Sequence, residues 1–280
     1  MTIELLEQCR HYKEDISKPD SSTFQFHKFI YGNIQLGKYY LVYATEEHRF
    51  NQKRPTKLSF QRIPFKTIFP PIPYSLPRRM CYEGPVPEGC YLKEPKLLSF
   101  DDPHSLDPAS ILLHEFCVYQ MLSEAPHPNI PKFLGCLVKD GHLKGIILPK
   151  YPRSLEEKLE TDEHIPVEKY LQKIKNALRH LHKLGLVYMN LDPAHIMLTE
   201  DDEPVLVGFS YCQFKGDRCH IWGGGDWKCK IPFEFVENTS PQADILAFDI
   251  LKTLLEEEEE LNVSSRNLEC SNRFLFLTSE

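Results

Sequence analysis

The chain has 280 residues, 41% of them hydrophobic and 26% charged, with a net charge of -7 at neutral pH. That length is enough for two lobes or one large domain whose core needs no staples. The acidic balance, part of it the run from Glu256 to Glu260, argues against a broad nucleic-acid-binding face, which would carry a basic excess or stripe.

Nine cysteines, an odd number scattered without a Cys-x-x-Cys pair, predict reduced thiols and no disulfide framework. Cys212, Cys219, His220 and Cys229 lack the closely spaced pairs of a structural zinc site. Residues 1–13 mix apolar and charged side chains and show no signal-type core. No apolar run approaches the roughly 20 residues that span a bilayer. The expectation is a soluble intracellular protein, cytoplasmic or nuclear, with no membrane or nucleic-acid partner.

Along the chain, 24–44 is rich in aromatic and β-branched residues broken by Gly32 and Gly37, which predicts short strands or a hairpin. Residues 45–57 read as an exposed polar turn. From Pro64 to Pro87 seven prolines predict an extended, irregular connection without helix. A strand is expected over 90–93, with 97–100 continuing or flanking it.

Asp107 as N-cap and Pro108 at the first position open a helix. Its apolar set is Ile111, Leu112, Cys117, Val118, Met121 and Leu122, with Glu115 in the middle. Pro126 and Pro128 end it. Two strands, 133–138 and 145–148, flank a turn at 139–142, and Pro149-Lys150-Tyr151-Pro152 forms a stiff linker. A short helix is expected over 155–159, followed by a longer one over 167–184 whose inner face is Tyr170, Leu171, Ile174, Ala177, Leu178 and Leu181. Gly185 stands where a helix end favours left-handed backbone. A last helix is expected over 242–257, with Ile245, Leu246, Phe248, Ile250, Leu251 and Leu254 as its apolar set. Residues 262–280 carry one apolar patch, Phe274-Leu275-Phe276-Leu277, that the pattern does not place.

Several segments fall in a telling order. His127-Pro128-Asn129-Ile130 follows the first helix, and Leu181 to Val187 leads into Tyr188-Met189-Asn190-Leu191-Asp192-Pro193-Ala194-His195-Ile196-Met197-Leu198. Val205-Leu206-Val207-Gly208-Phe209-Ser210 comes next, and Asp244-Ile245-Leu246-Ala247-Phe248 opens the last helix. On these residues, over roughly 80–255, the chain resembles the protein-kinase superfamily, and in particular the small kinase-like proteins of filamentous fungi. The resemblance implies an α+β, two-lobed fold: a small β-rich N-lobe with one αC-type helix (1–148) and a shortened, mainly helical C-lobe (149–280). Residues 1–60 are expected to complete the N-lobe sheet or to append strands to it, completion being favoured because Lys93 needs neighbouring strands.

In such a fold a strand lysine neutralises nucleotide phosphates and is held by a helix glutamate. Lys93 and Glu115 match those positions, with Lys96 the competing lysine. Pro149, Lys150 and Tyr151 fall at the hinge that faces adenine. Gly84 and Gly89, like Gly32 and Gly37, lack the spacing of a phosphate-covering glycine loop, which weakens nucleotide binding.

The catalytic positions have changed. Asn190 stands where the resemblance places the catalytic aspartate, and an amide cannot take a proton from a hydroxyl; losing a positioned base costs about 10² to 10⁴ in rate. Asp192 is a carboxylate two residues away and a poor substitute. His195 and Gly208 occupy the two metal-ligand positions, and magnesium prefers oxygen ligands. Ser210 and Asp202 offer oxygens nearby, neither at a matching position. Gly223-Gly224-Gly225-Asp226-Trp227 and Pro232-Phe233-Glu234 resemble the segments that precede substrate docking.

The expectation is a catalytically impaired kinase-like module (a pseudokinase) that serves as a binding or regulatory unit for a protein partner, with weak or no ATP binding and no magnesium. The alternatives are an active atypical serine/threonine kinase or, further off, a small-molecule phosphotransferase.

Overall fold

The computed structural model describes residues 3–15, 18–33, 37–44, 60–102, 105–161, 163–217 and 239–277; side chains are described outside 10–25 and 261–277. The chain is mixed α+β and divides into two units, each considered by itself. The first holds residues 1–86, 92–114 and 135–146; the second holds 87–91, 115–134 and 147–280.

The first unit opens with four antiparallel strands in sequence order: β1 (Glu4–Asp15), β2 (Lys18–Asn33), β3 (Lys38–Ala44) and β4 (Gln61–Ile63). Strand β2 has sixteen residues and pairs along most of its length with β1, so this sheet completes itself. It does not complete the sheet of Lys93, contrary to expectation. One face buries Ile30, Tyr39, Leu41 and Ile63 against Ile68, Phe69 and Leu97. The proline-rich stretch forms 3-10 turns at Phe65–Thr67 and Arg78–Met80 and no α-helix. Between them Leu143 N–H donates to the Pro70 carbonyl and Ile72 N–H to that of Gly141, which fixes the stretch along a hairpin edge.

The second sheet has the order β5 (Cys81–Tyr82), β7 (Gly135–Lys139), β8 (His142–Pro149), β6 (Cys90–Lys93). Its β5–β7 pair is parallel. The ends Cys90–Tyr91 and 147–149 fall in the second unit. After β6 a 3-10 turn, Leu97–Ser99, leads towards helix α1 (Pro108–Glu124). Three strands of the first sheet grip this turn. The Glu7 carboxylate accepts the N–H groups of Leu97 and Leu98 at 3.0 and 2.8 Å. The buried Lys28 amine donates to the carbonyls of Leu98 and Phe100, and Tyr43 donates to Asp101. Anion at the start of the turn and cation at its end complement the backbone dipoles.

Helix α1 starts as predicted: the Asp107 carboxylate accepts Ser110 N–H at 2.9 Å. Its buried face differs in detail. Phe116 and Tyr119 are fully buried, whereas Cys117 is exposed. The second unit continues with β9 (Arg153–Ser154), α2 (Leu155–Leu159), α3 (Val167–Lys183), β10 (Leu186–Val187), β11 (Ile196–Leu198), β12 (Pro204–Leu206), β13 (Gln213–Phe214) and α4 (Pro241–Leu277). Ser154 and Glu157 make a reciprocal capping box on α2. The six predicted α3 residues are all buried. Gly185 has φ 77, the left-handed turn expected after this helix.

Helix α4 runs past its predicted end, because no glycine or proline interrupts 242–277. It buries Ala243, Asp244, Ala247, Leu251 and Leu255, while Ile245 is half exposed. Of the predicted apolar set Leu251 alone is fully buried; Ala243, Ala247 and Leu255 complete the buried face. No helix among the described residues is long and apolar enough to cross a membrane.

Candidate functional site

The second unit brings Tyr188, Met189, Asn190, Asp192, His195, Gly208, Phe209 and Asp244 into one connected cluster. At its base is Asp244, 1% exposed. Its carboxylate accepts the backbone N–H groups of Tyr188 and Met189, each at 2.8 Å, and His182 Nε2 at 2.8 Å. Met189 has φ 59, a left-handed conformation that costs a side-chain-bearing residue about 1–3 kcal/mol. The two N–H bonds to Asp244 hold that conformation in place.

Above this base stands an aromatic column. The Tyr188 and Phe209 rings meet edge-on with centroids 5.3 Å apart, and Phe209 meets Tyr119 of α1 at 5.2 Å. All three are fully buried, and burial pushes the Tyr119 and Tyr188 phenols well above their ordinary range. Tyr188 donates its hydroxyl to the Val207 carbonyl. Glu115, buried on α1, accepts the Phe209 N–H at 2.9 Å. The middle of α1 is thereby tied to the 208–210 turn.

Asn190 and His195 each lie close to Gly208. Asn190 Nδ2 donates to the Gly208 carbonyl at 2.8 Å. A Cβ added to Gly208 would stand 2.9 Å from His195 Cδ2 and 3.1 Å from Asn190 Nδ2. Asp192 is engaged within its own turn: its carboxylate accepts His195 N–H at 2.9 Å and pairs with His195 Nδ1 at 2.8 Å. Ser210 is buried in the 3-10 turn Phe209–Tyr211. Among the described residues no group of three or more His, Cys, Asp or Glu is placed to hold a metal ion. A divalent cation does not fit this donor set: the one loop carboxylate is committed and position 208 carries no side chain.

The remaining predicted site residues fall as follows. Lys93 is half buried at the end of β6 in the first unit, and Lys96 is exposed beside the following turn. Pro149 ends β8; Lys150 N–H donates to the Gly89 carbonyl at 3.0 Å, and burial pushes the Tyr151 phenol up to about 12. Asp202 holds the buried Lys158 amine at 2.8 Å, and Lys158 also reaches the Tyr170 hydroxyl at 2.9 Å. Burial raises the Asp202 carboxyl, but the bonds from Lys158 and Tyr170 outweigh it and leave the group below its ordinary value. Asp202 therefore locks the β11–β12 turn. Asn129 ties α1's exit to β12 through the Pro204 carbonyl at 2.7 Å. The 223–227 and 232–234 segments, with Cys219, His220 and Cys229, lie outside the described residues.

Sequence reasoning missed the hub role of Asp244 and the Tyr119–Phe209–Tyr188 column. Both were legible only as members of motifs, since neither spacing nor polarity says which backbone groups a distant carboxylate will meet.

This mixed α+β arrangement is compatible with a small kinase-like fold, and partial sequence similarity points the same way. The chain is 34% identical over 88 residues to the serine/threonine-protein kinase PknG of Mycolicibacterium smegmatis, covering 29% of this chain and 12% of the relative. It is 40% identical over 92 residues to serine/threonine-protein kinase PknG of Mycobacterium leprae, again 29% of this chain and 12% of the relative. The chain thus spans only about an eighth of those curated relatives. No family model matches.

Proposed function

We propose that the chain is a kinase-like module of two-lobed type, impaired in phosphoryl transfer, that works by binding a protein partner. One observation carries the reading. The three positions that would supply a base and two metal ligands are Asn190, His195 and Gly208; Asn190 bonds the Gly208 carbonyl, and the His195 ring stands so near Gly208 that a Cβ there would clash with it. Loss of a positioned base lowers rate about 10²- to 10⁴-fold. Loss of the metal ligands leaves transferring phosphate charge without its usual counter-charge. Asp192 is a weak rescue, because both its oxygens are engaged by His195.

The same loop keeps its buried scaffold in Asp244, Tyr188 and Phe209. A retained frame around altered chemistry supports recognition over turnover. Nucleotide binding is weak and does not draw on magnesium. The acidic net charge of -7 supports a protein partner over a nucleic acid.

The test is a phosphorylation assay with magnesium ATP, on the protein itself and on generic protein substrates. The expected result is no transfer above a mock preparation. Turnover abolished by Lys93→Met would establish instead an active atypical serine/threonine kinase.

A further inference from the structure

Strands β5 and β7 carry one cysteine each, Cys81 and Cys136, and the two are Cα partners in the parallel register. Among the described residues no other two cysteines stand on neighbouring strands. Paired residues of adjacent strands point to the same face, at a spacing of about 4.8 Å. That lies within the roughly 4.4–6.8 Å between α-carbons that a disulfide spans. Gly135, next to Cys136, lets the strands approach closely here: a Cβ on it would stand 2.6 Å from the Met80 carbonyl oxygen.

The two thiols differ in access. Cys136 is fully buried, and burial pushes its thiol up to about 12, with a further rise from the neighbouring Cys81. It stays protonated and meets no solvent oxidant. Cys81 is half-buried, so a small oxidant reaches it. Its Sγ donates to the Pro77 carbonyl at 3.6 Å, which also accepts the Met80 N–H at 2.8 Å. Loss of the thiol hydrogen therefore leaves no orphaned acceptor.

We propose that Cys81 and Cys136 are a peroxide-reactive pair that closes into a reversible disulfide and staples β5 to β7. In the first step the Cys81 sulfur attacks one oxygen of a hydroperoxide. The O–O bond breaks, the other oxygen leaves with the thiol proton, and Cys81 becomes a sulfenic acid. In the second step the Cys136 sulfur attacks the Cys81 sulfur. The S–O bond breaks and the hydroxide leaves as water with the Cys136 proton. Two electrons pass from the sulfur pair to the peroxide. Because one sulfur is partly exposed, an external dithiol can attack it and return both thiols. Strand β5 has only two residues, so the bond fixes it where the chain leaves for the 83–86 connection. No residue of the 188–210 loop takes part, and the pair reacts whether or not that loop transfers phosphate.

The test is peptide mapping of the full chain after limiting hydrogen peroxide, with free thiols alkylated as the chain unfolds. Trypsin releases 80–93, which holds Cys81 and Cys90, and 133–139, which holds Cys136. The expected product is these two peptides joined, with the bond at Cys81 in the fragment spectrum and both thiols recovered by dithiothreitol. Cys81→Ser abolishes the product. Cys90→Ser leaves it, since Cys90 lies on β6 and β8 separates β6 from β7. In Cys136→Ser the Cys81 sulfenic acid persists and dimedone traps it; Cys136→Ala replaces this variant if it does not fold. Amide exchange across 80–82 slows in the oxidised chain. A bond at Cys90 instead, dimedone capture of Cys81 in the wild type without joined peptides, or no oxidation of Cys81 would overturn the proposal. Joined peptides with unchanged exchange across 80–82 would overturn the staple.

Discussion

Gly208 lies so close beneath His195 that a Cβ there would stand 2.9 Å from the ring carbon Cδ2, and Gly208 also has φ 75. Placing a carboxylate at this position alone therefore meets both backbone strain and a steric neighbour. Gly208→Asp is expected to destabilise the protein by roughly 1–3 kcal/mol in urea unfolding. In a His195→Asn background the loss should shrink, with a coupling of about 0.5–3 kcal/mol. Strictly additive losses would show that the two positions do not interlock.

Asp244 is the hub of the loop, and its removal leaves two buried backbone N–H groups without acceptors. Asp244→Ala is expected to cost about 3 kcal/mol or more, and Asp244→Asn less, since one oxygen remains to accept. A loss below about 1 kcal/mol for the alanine variant would mean that the Met189 conformation holds itself.

Glu7 and Lys28 bracket the turn at Leu97–Ser99 from two strands of the N-terminal sheet. Glu7→Ala and Lys28→Met should each speed amide hydrogen exchange across 97–101, with a stability loss of about 1–3 kcal/mol. Unchanged exchange would separate the sheet from the segment that follows Lys93.

His127 links stability to pH. Burial, with a further contribution from His180, holds its imidazole below the ordinary value of 6.5. Its Nδ1 also accepts the Asn129 N–H at 3.2 Å, which needs the unprotonated nitrogen. The unfolded chain therefore takes up the proton first, and stability falls as pH drops from 6.5 through the lowered folded value. His127→Asn should flatten that part of a stability–pH profile; an unchanged slope would assign it to another group.

Much of the helical structure was legible because its elements announce themselves locally. Asp107-Pro108 starts α1, Gly185 ends the turn after α3, and the inner face of α3 recurs at helical spacing. The first unit was harder. Strand β1 has a register shift between Leu5 and Glu7, so its side chains do not alternate cleanly. The sheet that was expected to complete the Lys93 sheet instead pairs within itself. At the site, the changed residues could be read from the sequence, but their mutual contact could not. That Asn190 and His195 both lie against Gly208 depends on Gly208 taking a left-handed turn beside the His195 ring.

The central claim is that this loop keeps a frame and has lost its chemistry. The most direct measurement is magnesium-ATP phosphoryl transfer by the wild type beside the Asn190→Asp, His195→Asn, Gly208→Asp triple variant. The account predicts no transfer by the wild type and a gain in the variant, provided its melting shows it folded. Wild-type turnover above a mock preparation, abolished by Lys93→Met, would contradict it.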